Sequence, residues 1–177
     1  MKKLGYPWAD NLYHLSYGMV NLPTGKMKSR EGTVVDADDL FDEMSNLAYE
    51  ACKERAADGS VGEDDLRRRG EIIGLGALKF MLLKFNPKTT IMFDPAASIR
   101  FEGDTGPYVQ YAAARIQSIM RKGLERGIRP ENADWSLLGR DEEKSLAVLA
   151  GGYPEALQYA AGRKDCSSLA EYLLDLA

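Results

Sequence analysis

The segment from Glu63 to Phe85 changes character along its length. Its first part is polar and carries Arg67, Arg68 and Arg69. Its second part, with Ile72, Ile73, Leu75, Leu78, Phe80, Met81, Leu82 and Leu83, is apolar on nearly every side. A helix apolar all round belongs in the middle of a bundle. Gly74 and Gly76 lie inside it. Each would weaken an exposed helix by about 1 kcal/mol, but in a buried helix a missing side chain admits a close neighbour. Asn86-Pro87 ends the segment.

The rest of the chain supplies the neighbours such a helix needs. Asp36 is predicted to cap a helix over 37–56, with Leu40, Met44, Leu47, Ala48 and Ala51 on one stripe. Its acidic first turn, Asp36, Asp38 and Asp39, complements the helix dipole, which explains these carboxylates better than a metal cluster does. Residues 57–62 break the pattern. A third helix opens at Thr105-Gly106-Pro107 and runs to about Arg126. Val109, Ala112, Ala113, Ile116, Ile119 and Met120 form its expected core stripe, and Tyr108, Tyr111, Arg115 and Lys122 occupy a different one. Residues 127–139 read as a linker. Short helices follow over 141–150, 154–163 and 168–177, the last with Ser168 and Glu171 at capping-box spacing. Its apolar pattern continues to the final residue, as in a helix cut in mid-course. Extended structure is expected for Leu12 to Val20, Thr33 to Val35, Thr89 to Phe93 and Ser98 to Phe101. The predicted fold class is therefore mainly α: a helical bundle with a small β element near the N-terminus.

Between that β element and the first long helix lies Gly25-Lys26-Met27-Lys28-Ser29-Arg30-Glu31-Gly32. Glycines at both ends let the backbone move. Three cations on a mobile loop suit a polyanion such as a triphosphate. A solvated basic turn is the plainer reading of the same residues.

The loop and its flanks, from Leu12-Tyr13-His14-Leu15-Ser16-Tyr17-Gly18-Met19-Val20 to Thr33-Val34-Val35, resemble the second signature region of arginyl-tRNA synthetases, which are class I enzymes. The class pattern there is Lys-Met-Ser-Lys-Ser. Lys26 and Met27 match it; Lys28, Ser29 and Arg30 depart from its last three positions. Phe101-Glu102-Gly103-Asp104-Thr105-Gly106-Pro107-Tyr108-Val109-Gln110-Tyr111 resembles the family's entry into its anticodon-binding domain, and Leu75 to Phe80 fits its intervening helical region. The resemblance implies ATP-dependent ligation of arginine to tRNA(Arg), through an arginyl-adenylate that the tRNA's terminal adenosine attacks. It implies Lys26, Lys28 and Arg30 as the catalytic cations, and His14, Lys26 and Met27 as the ATP neighbours. Tyr108, Gln110, Tyr111 and Arg115 become the tRNA contacts, since aromatic faces stack on bases and arginine pairs with phosphate. ATP would act as a substrate, with Mg2+ in the full-length enzyme. The expected division is 1–35 for the end of the catalytic domain, 36–100 for a connecting helical region and 101–177 for part of the anticodon-binding domain.

The class also needs a His-x-Gly-His helix start. One histidine, His14, cannot supply two, and there is no Gly-rich strand-turn-helix unit to build a nucleotide crevice. The 177 residues amount to one or two domains. The expectation is a C-terminal piece that does not catalyse or hold a cofactor without its N-terminal catalytic half. A stand-alone tRNA-binding module and a structural protein derived from the family remain alternatives.

Composition fits a soluble cytoplasmic protein, with 45% hydrophobic and 28% charged residues. The net charge of -4 confines any RNA contact to local clusters and gives no reason to expect DNA as a partner. Cys52 and Cys166 lie far apart without metal spacing, and are expected to be free thiols. No apolar run reaches membrane-spanning length. Arg67, Arg68 and Arg69 read as a solvated helix face.

Overall fold

The computed structural model describes residues 1–23, 36–56, 59 and 61–177. Helix α1, Ala37–Arg55, starts where Asp36 accepts a hydrogen bond from the Asp38 N–H at 3.2 Å, as the capping pattern predicts. Helix α2 spans Glu63–Leu83, with Glu63, Asp64 and Asp65 in its first turn. The two run antiparallel, because Tyr49 meets Glu63 while Met44 meets Gly74.

Glycine sets how close they come. A Cβ on Gly74 would lie 2.7 Å from the Met44 carbonyl carbon and oxygen, and one on Gly70 would lie 2.8 Å from the Ser45 carbonyl oxygen. Backbone therefore packs on backbone. On a neighbouring face of α2, Gly76 receives the Gln110 side chain and the start of helix α4, Gly106–Glu125. A Cβ on Gly106 would lie 2.6 Å from the Gly76 carbonyl oxygen. Leu40, Met44 and Ala48 of α1 join Ala77 and Leu78 of α2, with Phe93 and Ile99, in one core; Met44 and Phe93 are wholly buried.

The β element is smaller than expected. Among the described residues the sheet consists of Val20–Asn21 (β1) and Ile91–Met92 (β2), paired in parallel with Val20 opposite Ile91. The Ile91 N–H donates to the Met19 carbonyl at 2.8 Å, and the Phe93 N–H to the Asn21 carbonyl at 2.7 Å. Residues 12–19 are not in regular strand, and Leu12, Tyr13, Leu15, Tyr17 and Met19 are exposed. A strand needs a partner, and β2 offers one only to the segment's end. Thr33 to Val35 lie outside the described residues. Ser98, expected in extended chain, closes a helical turn, α3 (Pro95–Ser98). Asp94 accepts from the Ala97 N–H at 3.0 Å, and Pro95 fixes the first helical angle.

Thr105 caps α4 through the Tyr108 N–H at 3.3 Å. The expected core stripe of α4 is mostly uncovered. Gly106 and Pro107 are buried and Val109 and Ala112 half-buried, but Ala113, Ile116, Ile119 and Met120 are exposed. Packing on α2 covers the first turns of α4 and not the rest. Helices α5 (Asp141–Gly151), α6 (Tyr153–Arg163) and α7 (Ser167–Leu176) follow. Tyr172 ties α7 to α5 by donating to the Leu149 carbonyl at 2.8 Å.

Ser168 does not cap α7. It sits inside the helix, and its hydroxyl is buried without a partner among the described residues. Asp165 does the capping work instead: its Oδ1 accepts from the Ser167 N–H at 3.0 Å and the Ser167 hydroxyl at 2.7 Å. Its Oδ2 accepts from the Asn86 amide at 2.7 Å, which fastens the α6–α7 turn to the end of α2. These hydrogen bonds, those from Ser167 foremost, hold the Asp165 carboxyl below its ordinary value of 3.8.

Two outcomes follow from this packing. Gly74→Ala should lose stability by about 1–3 kcal/mol through overpacking, although alanine is the better helix former. Gly162→Ala, with nothing within 4 Å of the new methyl, should instead be neutral or gain up to about 1 kcal/mol. Urea titration of both variants checks the opposite signs, and a stabilised Gly74→Ala would refute the close contact. For Asp165, a lowered folded-state pKa adds stability above the ordinary value, and that stability fades as pH falls through the depressed one. Asp165→Asn should therefore melt below the unaltered protein at pH 7, with the gap closing in strong acid. An equal gap at pH 7 and pH 3 would remove Asp165 from the acid response.

Candidate functional site

Lys26, Met27, Lys28 and Arg30 lie outside the described residues. The supports on either side of them are described. Before the loop, β1 is held to β2, and Asn21 is buried, with an Oδ1 that has no hydrogen-bond partner among the described residues. After the loop, Asp36 caps α1, whose Leu40 enters the core one turn later. The cationic segment thus leaves from one core element and returns to another.

His14 is exposed on the irregular stretch that leads into β1, and no hydrogen bond or ion pair to another described residue holds its ring. It does not meet the α4 candidates.

The four α4 residues divide by direction. Tyr108 is half-buried beside the Thr105 cap. Gln110 turns onto α2, where its amide donates to the Ile72 carbonyl at 3.2 Å and covers Gly76. Its Oε1 is buried with no hydrogen-bond partner among the described residues. Tyr111 and Arg115 lie one turn apart on the exposed side. The Arg115 guanidinium donates to the Tyr111 hydroxyl at 3.3 Å and lies 5.7 Å from the ring centroid. A flat ring beside a flat cation offers stacking and phosphate pairing from one patch.

Other polar groups are engaged elsewhere. Arg67 forms an ion pair with Glu63 at 2.9 Å and sits over the Tyr49 ring. Burial pushes the Cys52 thiol up, against the lowering effect of Arg69 and Arg55, so it is a poor nucleophile. No group of three His, Cys, Asp or Glu among the described residues is placed to hold a metal ion.

Sequence reasoning missed a second cluster. Tyr13, Ser16, Lys88, Arg163, Lys164 and Asp165 line a cleft of about 230 Å³. The Lys164 ammonium sits 3.5 Å from the centroid of the Tyr13 ring. Lys164 is also the C-cap of α6, in the left-handed conformation at φ 54°. That position favours glycine. A lysine at such a helix end was the one signal legible in the sequence.

Comparison with known proteins matches residues 1–94 to the family "tRNA synthetases class I (R), catalytic domain" and residues 109–177 to the "DALR anticodon binding domain". The arginine–tRNA ligase of Flavobacterium psychrophilum is 46% identical over 99% of this chain and 29% of its own length. That of Treponema denticola is 46% identical over 100% of this chain and 30% of its own length. Thermus thermophilus arginyl-tRNA synthetase superposes with a TM-score of 0.78 at 33% identity, covering 97% of this chain and 27% of that one. The chain thus spans under a third of the length of these relatives. With more than half of its residues in the class I match and the anticodon-binding match following in order, the chain belongs to the class I arginyl-tRNA synthetase family.

Proposed function

We propose that the chain works as part of an arginine–tRNA ligase. Arginine and ATP form arginyl-adenylate, and the terminal adenosine of tRNA(Arg) then takes the arginyl group. The family match carries this reading, since the class I match over 1–94 is followed by an anticodon-binding match over 109–177. Lys26, Lys28 and Arg30 stabilise the charge that builds on the triphosphate as adenylate forms. The segment that carries them stands in the chain between the core elements β1 and α1. His14 and Met27 flank the adenine. Tyr111 and Arg115 contact unpaired tRNA bases and backbone, with Tyr108 beside them and Gln110 holding α4 at its angle on α2. The divisions 1–35, 36–100 and 101–177 then correspond to loop-bearing end, connector and RNA-binding part. The 177-residue chain alone has a single histidine and therefore no His-x-Gly-His, so by itself it does not catalyse.

Supplying the His-x-Gly-His-bearing half of a relative in trans, with tRNA, should restore arginine-dependent pyrophosphate exchange. Lys26→Ala should then lower the rate by about 10²-fold or more, the scale expected for one charge-stabilising group. An unchanged rate would remove Lys26 from the mechanism. Independently, Tyr111→Ala should weaken tRNA binding by about 1–3 kcal/mol, the usual value of one stacked base. Filter binding with a tRNA(Arg) transcript reads this directly, and undiminished affinity would rule out stacking on that ring.

A further inference from the structure

We infer that the cleft between Tyr13, Lys88 and Lys164 is an RNA-phosphate site at the junction of the catalytic-type and anticodon-binding segments. This inference rests on the tRNA-binding reading above and adds a second contact far from the α4 patch in sequence.

The cleft draws on both matched segments. Tyr13, Ser16 and Lys88 come from the first, and Arg163 and Lys164 from the second. A single group seated there touches both segments, and a polynucleotide handled by both segments would carry its backbone past this point. The cleft's volume of about 230 Å³ lies below the roughly 300–1,000 Å³ of pockets that enclose a whole small molecule. It has room for a phosphate on a passing strand.

Its charge has the right sign. Three cations face one carboxylate. That carboxylate, Asp165, is buried and accepts from Ser167 twice and from Asn86 once; it also feels the Arg163 charge, which leaves Lys88 and Lys164 as the cleft's cations with least carboxylate influence. Among the described residues no salt bridge within 4.0 Å neutralises Lys88, Arg163 or Lys164. Arg163 and Lys164 rest instead on the rings of Tyr159, at 5.3 Å, and Tyr13, at 3.5 Å. An aromatic face orients a cation without cancelling its charge. Lys164 also occupies a left-handed helix cap where glycine would be the better structural residue. Cap geometry therefore does not explain why a lysine stands there.

The test is binding of a tRNA(Arg) transcript to the 177-residue chain across a salt series. Lys164→Gly and the double variant Lys88→Gln/Arg163→Gln are compared with the unaltered chain and with Tyr111→Ala. Each cleft variant should bind several-fold more weakly, and the slope of log K against log salt should flatten by about 1 for each cation removed. Lys164→Gly should melt no lower than the unaltered chain, so its loss of binding cannot come from misfolding. If Tyr111→Ala weakens binding while both cleft variants keep their affinity and slope, the cleft proposal is overturned and the tRNA reading stands. If the unaltered chain binds no tRNA, the RNA assignment falls, and a titration with inorganic phosphate followed by amide NMR shows what remains. Shifts confined to Ser16, Lys88 and Lys164 would leave an anion site without RNA; none would remove the site altogether.

Discussion

Helix α2 meets two other helices at backbone distance: the missing side chain of Gly74 admits the α1 backbone, and that of Gly106 lets α4 press on the Gly76 carbonyl. Two helices separated by ordinary side chains sit about 8–10 Å apart. A glycine pressed against the Met44 carbonyl lets them come closer, where the two backbones and their neighbours gain many dispersion contacts at once. The consequence reaches the chemistry-bearing segments. The start of α1 receives the cationic loop, and the start of α4 sets where Tyr111 and Arg115 point. Both starts are fixed by contact with one helix, so an error in the α1–α2 spacing would move one segment relative to the other.

The helix ends were legible because caps are local. Asp36 and Thr105 each satisfy an N–H two or three residues away, and the sequence holds both partners side by side. Burial was less legible. The spacing of Val109, Ala112, Ile116 and Ile119 shows that they share a face of α4, but periodicity says nothing about whether that face is covered. Here α2 covers its first turns, and Ile116 and Ile119 stand 57% and 65% exposed. The same reasoning explains Leu12 to Val20. Its residues are strand-like in type, yet strand pairing depends on a distant partner, and Ile91–Met92 is two residues long. Ser168 had the spacing of a cap, but Asp165 competes with three hydrogen bonds, two of them to the residue at the helix start.

The candidate site divides along the same line. Tyr111 and Arg115 could be paired from sequence because four residues make one helical turn. Gln110, next to Tyr111, points about 100° away and lands on the Ile72 carbonyl, a contact set by the α2–α4 crossing. Tyr13, Lys88 and Lys164 lie far apart in the chain and meet only once α7 and the end of α2 are joined through Asp165 and Asn86. No local pattern could have brought them together.

A chain with net charge -4 has no long-range attraction for a polyanion, and at physiological salt a charge acts over about 8 Å. Binding then depends on whether each nearby cation is already neutralised. Arg67 is, by Glu63 at 2.9 Å. Arg115, Arg163 and Lys164 lean on tyrosine rings. A carboxylate partner would cancel the field that a phosphate needs, whereas a ring holds the side chain in place and leaves most of that field outside. The arrangement lowers the entropy lost when a long, flexible cation is immobilised on a ligand. Aromatic support for cations thus leaves positive charge available at short range on an acidic chain, and Tyr13 and Tyr111 lie exposed beneath Lys164 and Arg115.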